Sequence, residues 1–381
     1  MTSELLPDDL LERIRGRAAG YDRENAFFTE DLAELAAAGY LTAMVPTELG
    51  GAGLSLEQLT REQMRLAGAA PATALAVNMH HVWVSVARSV RARGDHSCDV
   101  VLEEAAAGEV FAFGVSEPGN DLVLFGSQSL AEPDGAGGYS FTGTKIFTSL
   151  SPAWTRLGTF GADTSGSDGT HNVWGFLTRD AGGVEVREDW DALGMRASQS
   201  CTTVLTGAHA PAERIVRRVP PGPTTDPFVL GIFASFEILL SSVYTGIARR
   251  ALDVAVERVH ARRTHDGTPY AHDPDIRRRL AGAAIALDGI HPQIAALARD
   301  VDEQTGGGAL WLPRLSALKA RATETAKDVV EDAVRVSGGA SYFNRSELSR
   351  LYRDVLAGIF HPSDDESVHR AWATALLGPL P

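Results

Sequence analysis

The sequence predicts a multidomain α+β protein: a helical N-terminal domain, a small central β domain and a C-terminal helical bundle. Three observations lead there. Helical periodicity fills residues 1–109, short β-rich runs bounded by Gly, Asp and Pro fill 110–215, and long helical patterns return over 225–381. At 381 residues the chain exceeds what one compact core ordinarily serves.

In the first region the helical spacing is clear in TEDLAELAAAGYL and LEQLTREQMRLAGAA. Between them lies ELGGAGLS, where Ser55 stands as an N-cap. The texture then changes to GGYSFTGTKIFTS, RLGTFGAD, NVWGFLTRD and TTVLTGAHA, rich in Val, Phe, Thr and Trp. RRVPPGPTTDP reads as a linker, because prolines at this density exclude both helix and central strand. Beyond it FEILLSSVYTGIARRALDVAVERVHARR, DIRRRLAGAAIALDGIHPQIAALARDVDEQ and PRLSALKARATETAKDVVEDAVRVSGG are long enough for bundle helices. A Gly-Gly break and a last helical stretch complete the bundle.

A hydrophobic fraction of 44% with 22% charged residues describes a soluble globular chain. The formal charge of −14 argues against sequence-independent binding to nucleic acid or an anionic bilayer, but leaves a local basic pocket for a small anion. The opening MTSELLPDDLLERIRGRAAG lacks a basic n-region, and no run of about eighteen apolar residues stands out. A cytoplasmic location is expected. Cys98 and Cys201 lie far apart without metal-ligand spacing, so neither a disulfide framework nor a zinc site is expected.

Several motifs, taken with the domain order, resemble the acyl-CoA dehydrogenase superfamily over essentially the whole chain. FAFGVSEPGND (111–121) resembles the family segment that lines the flavin pyrimidine edge, which puts Phe113, Val115 and Ser116 beside the cofactor and Asn120 on a substrate-contacting loop. GGYSFTGTKIFTSLS resembles the family hairpin in which an aromatic covers the isoalloxazine and a hydroxyl sits beside flavin N5. Here these are Phe147 and Ser149. LGMRASQSCTTVLTG resembles the strand that closes the β domain over the cofactor, with Arg196 in it.

In the bundle, GIARRALDVAVERVHARRT places Arg262 and Thr264 where the family reaches a neighbouring subunit's flavin pyrophosphate, a task that suits a guanidinium. AVRVSGGASYFNRSELSRLYRD keeps the family interval from Gly338 and Gly339, whose amides would approach that pyrophosphate, to Arg353 and Asp354. Arg335 stands where the family usually has Gln. The resemblance implies a small β-barrel, a four-helix bundle, FAD and a homotetramer.

It also implies a base, and here the sequence departs from the family. IFHPSDDES replaces the loop whose Glu removes the α-proton of an acyl thioester. The alternative family position for that base, on the first bundle helix, is Phe236. Glu237 lies about 100° around the helix and reads as a surface carboxylate, able to serve the substrate only in a shifted register. His361 therefore becomes the candidate for proton chemistry, and Asp364, Asp365 and Glu366 read as charges at a helix start.

Two enzymatic readings follow from the resemblance, with a non-catalytic scaffold as a third. The first is FAD-dependent α,β-dehydrogenation of an acyl thioester, passing electrons to an electron-transfer flavoprotein or oxygen. The second is a monooxygenase of the same fold that takes FMN or reduced flavin from a reductase. Such enzymes carry a histidine at this loop and another in the N-terminal domain, where LAVNMHHVW offers His80 and His81.

Overall fold

The structure is a computed structural model and describes residues 5–380. The N-terminal domain holds α1 (Asp8–Glu24), α2 (Thr29–Ala37), α3 (Leu56–Ala69), α4 (Pro71–Arg91) and α5 (Asp99–Ala106). Ser55 caps α3 as its sequence context predicts: its hydroxyl accepts from Gln58 N at 3.1 Å, and the Gln58 side chain accepts from Ser55 N at 2.9 Å. α4 carries no amphipathic signature, because almost its whole circumference is buried, His80 and His81 included.

The central domain is one sheet of β1 (Phe111–Gly114), β2 (Leu130–Pro133), β3 (Tyr139–Thr148), β4 (Arg156–Asp163), β5 (His171–Thr178), β6 (Val184–Val186), β7 (Cys201–Ala210) and β8 (Ile215–Val219). The strand order is β6-β7-β3-β2-β4-β5-β8, with β1 pairing parallel to β4. No ladder joins β6 to β8 among the described residues, so the expected barrel is open along that seam. β8 also corrects the linker reading. Arg217, Arg218 and Val219 pair antiparallel with β5 before the first proline interrupts, which shortens the connection to residues 220–226.

α6 (Pro227–Ala261) opens the bundle, capped by Asp226, whose carboxylate accepts from Phe228 N at 2.9 Å. Its most apolar eighteen-residue window is 83% buried, the signature of a core helix. The long second pattern divides at Gly289 into α7 (Pro274–Asp288) and α8 (His291–Asp302). α9 (Trp311–Ser337), α10 (Glu347–Val355) and α11 (Asp365–Leu377) complete the domain. Asp364 caps α11 by accepting from Ser367 N at 3.0 Å, with Asp365 and Glu366 in the first turn, so these acids do stabilise a helix start.

The three domains meet at the Arg353–Asp354 pair. Arg353 donates to both Asp22 carboxylate oxygens, at 2.8 and 2.5 Å, and to Leu193 O at 3.0 Å, while Asp354 accepts from Met195 N at 2.6 Å. Gly194 makes this junction possible, since a Cβ there would stand 2.2 Å from Arg353 O. Arg196 joins in through Asp22 O at 2.9 Å, which makes it a domain contact and not an idle surface charge.

Candidate functional site

The site is built where β1, the end of β3, α6 and the segment after α10 converge. Phe113 on β1 stacks on Phe236 of α6 with ring centroids 5.5 Å apart, and Phe236 meets the His361 ring edge-on at 6.5 Å. Position 236 thus lies between β1 and the segment that carries His361. Val115 is buried beside Phe113, and the half-buried Ser116 uses its carbonyl to accept from Ile146 N at 2.9 Å, tying β1 to β3.

Just past that tie the chain turns Phe147 outward. Its φ of +57° is one that bulky residues rarely adopt, and its ring is 61% exposed, edge-on to Trp190 at 6.3 Å. Ser149 lies below, buried, in a row of hydroxyls: Ser149 to Ser200 is 2.8 Å and Ser200 to Ser198 is 2.7 Å. An open aromatic face, held by strained backbone beside oriented hydroxyls, fits a flat heteroaromatic ring such as flavin.

The loop between β1 and β2 is locked by charge. Lys145 Nζ lies 2.5 Å from Glu117 Oε1 with both side chains buried, and Glu117 also accepts from Ser127 Oγ, Gln128 N and Ser129 Oγ at 2.6–2.7 Å. Burial alone would raise the Glu117 pKa. The Lys145 ammonium and these hydroxyl donors outweigh it and hold the carboxyl at about 2. Asn120 belongs to the same lock. Its amide donates to Glu117 and to Gly126 O, both at 2.8 Å, and accepts from Leu122 N, so its side chain holds its own loop together.

His361 is half-buried, with Nε2 2.8 Å from the Tyr244 hydroxyl and no protein partner on Nδ1 among the described residues. Its apolar surroundings, reinforced by the nearby Lys319 ammonium, push its pKa down to about 3, so the ring is neutral at neutral pH. Tyr244, buried on α6, was not singled out in the sequence, and a tyrosine in an aliphatic helix was its only signal. Glu237 is corrected. It is fully buried and accepts from Ser363 Oγ at 2.5 Å, so it is not the surface carboxylate expected of it.

His80 and His81 divide. His80 Nδ1 accepts from Phe111 N at 3.1 Å and Nε2 meets Leu41 O at 2.7 Å, so it pins α4 to β1. His81 is fully buried against Tyr40 with no hydrogen-bond partner among the described residues. Neither reaches the cleft through a polar contact.

The phosphate-side residues come together only in part. Arg262 donates to Ser337 O at 2.8 Å and packs against Gly338, whose φ of +70° suits glycine. The Thr264 hydroxyl is taken up by Asp266 and Thr268 O within its own turn, and Arg335 pairs with Glu331 on its own helix. Gly339 is exposed beside them.

Family models described as the acyl-CoA dehydrogenase N-terminal and C-terminal domains match residues 8–96 and 238–365. An L-evernosamine nitrososynthase from Micromonospora sp. is 30% identical over 92% of this chain and 84% of its own length. A solved structure of KijD3 in complex with FMN and dTDP-3-amino-2,3,6-trideoxy-4-keto-3-methyl-D-glucose is 26% identical, with a TM-score of 0.88 over 99% of this chain and 94% of that one. Butyryl-CoA dehydrogenase from Megasphaera elsdenii, 20% identical with a TM-score of 0.85 over 99% of both chains, shares the fold.

Proposed function

The chain belongs to the acyl-CoA dehydrogenase family and is a flavin-dependent oxidoreductase, and on that premise we propose that it is a monooxygenase that oxidises the amino nitrogen of a nucleotide-linked amino sugar. One observation carries the choice. Where dehydrogenation needs a carboxylate to take an α-proton, this site has a neutral imidazole bonded to a phenol, and Glu237, the acid beside Phe236 on α6, is fully buried and engaged by Ser363. The nitrososynthase relative and the sugar-nucleotide complex of KijD3 support the substrate class.

Phe147 would cover the ring, with Ser116 and Ser149 beside it. The committed Thr264 and Arg335 leave few free donors for an adenylate, which supports FMN delivered by a reductase over tightly held FAD. Reduced flavin bound there would supply two electrons to molecular oxygen, so that one oxygen atom enters the substrate and the other leaves as water. The protein's part is to exclude bulk water, orient the amine and manage protons. Tyr244 donates to Nε2 in the tautomer that leaves the ring hydrogen on Nδ1, so the neutral ring is held in one orientation with an N–H that would hydrogen-bond the reacting oxygen or amine.

A homotetramer completes the reading. The exposed Ile285, Tyr342 and Leu377 support burial against a neighbour.

The test is His361→Ala assayed with reductase, FMN, oxygen and a dTDP-amino sugar. Turnover should fall by about 10²–10⁴-fold with FMN affinity nearly intact. Unchanged turnover would remove His361 from the mechanism.

A further inference from the structure

The segment that carries His361 is gripped from beneath by buried groups. Lys319 of α9 is 1% exposed, and its Nζ donates to the backbone carbonyls of both His361 and Ser363, at 2.9 and 3.3 Å. Ser363 adopts a φ of +62°, where a non-glycine backbone does not rest unaided. Its hydroxyl donates to Glu237 Oε1 at 2.5 Å and lies 3.2 Å from Ser316 Oγ. Glu237 Oε2 is buried with no hydrogen-bond partner among the described residues.

Such a cluster is hard to explain by stability. Burying an ammonium and a carboxylate costs desolvation that their attraction seldom recovers, and apolar residues of similar volume often do as well. Burial pushes the Glu237 carboxyl up and the Lys319 ammonium down, as expected of charges kept from water. What the cluster does accomplish is geometric. One cation draws in two carbonyls of a three-residue segment, and one carboxylate draws in its hydroxyl, so the segment is fixed at both ends.

We propose that Lys319 and Glu237 are positioning residues that clamp residues 361–363 so that His361 stays against Tyr244 and beside Phe236. The proposal rests on the role assigned to His361 above. It treats neither residue as touching substrate or cofactor. It also explains why Glu237 is spaced two helical turns from Tyr244: both must face the same segment.

A double-mutant cycle tests this. Lys319→Met should lower turnover about 10- to 100-fold with the KM for reduced FMN little changed, because a misplaced reacting group costs rate more than binding. On a His361→Asn background the same substitution should cost less than about twofold. A full, additive loss there would overturn the clamp while leaving the role of His361 standing. An unaffected His361→Asn would sink both.

A second readout needs no flavin. By NMR on the flavin-free protein, the His361 imidazole should be neutral at neutral pH in the parent and titrate nearer its ordinary value in Ser363→Ala, which frees the segment while leaving the Lys319 charge in place. Identical titration curves would count against the clamp. Should Lys319→Met fail to fold, Ser363→Ala removes the link to Glu237 with little change in volume. It is expected to lower turnover and to be non-additive with His361→Asn, and additivity would again overturn the proposal.

Discussion

Tyr244 and His361 are 117 residues apart in sequence and 2.8 Å apart in space. His361 was legible because its loop departs from a family pattern at the one position chemistry requires. Tyr244, Lys319 and Ser363 were not, since a polar residue in a helix pattern gives no sign of which distant segment it meets. Glu237 was misread for the same reason: amphipathic spacing cannot distinguish a surface carboxylate from one buried against a later loop. Tyr244→Phe removes one hydroxyl and little volume. It should lower turnover about 100-fold while FMN affinity stays within about twofold of the parent. A rate within twofold of the parent would show that the phenol does not take part.

Between residue and domain, the β1–β2 loop and the β3 hairpin act as one unit because Lys145 and Glu117 join them inside the sheet. Sequence marked both segments through their cofactor-side residues, but the motif lysine carried no hint that its partner lay 28 residues earlier. Lys145→Met leaves Glu117 charged and unpaired. It should cost about 3–5 kcal/mol in a denaturant titration, and a loss below about 1 kcal/mol would contradict the pairing. Because the Glu117 pKa is depressed from 4.5 to about 2, its contribution to stability is complete above about pH 4.5 and is lost as pH falls toward 2. Glu117→Gln should flatten that acid limb in a plot of unfolding free energy against pH. Elements whose burial is one-sided, such as α3, were readable from spacing. The uniformly buried α4 and the strand β8, adjoining a proline run, were not.

At the scale of the whole molecule, the order of three domains was visible in composition alone, whereas their docking depends on contacts that no local pattern encodes. The junction of Asp22, Gly194, Met195, Arg353 and Asp354 holds the β domain against the bundle. Gly194→Ala should destabilise the protein by about 1–3 kcal/mol through forced overlap with Arg353 O, seen as a lower midpoint in calorimetry. An unchanged midpoint would mean that the junction yields without cost. On the proposed function a neutral imidazole stands where the family resemblance puts a dehydrogenase's carboxylate, and the fate of molecular oxygen reads that difference most directly. With 18O2, reductase, FMN and a dTDP-amino sugar, the account predicts one labelled oxygen atom in each singly oxidised product and none when reduced flavin is withheld. Tightly bound flavin that an acyl-CoA bleaches without oxygen, together with an unlabelled amino sugar, would contradict it.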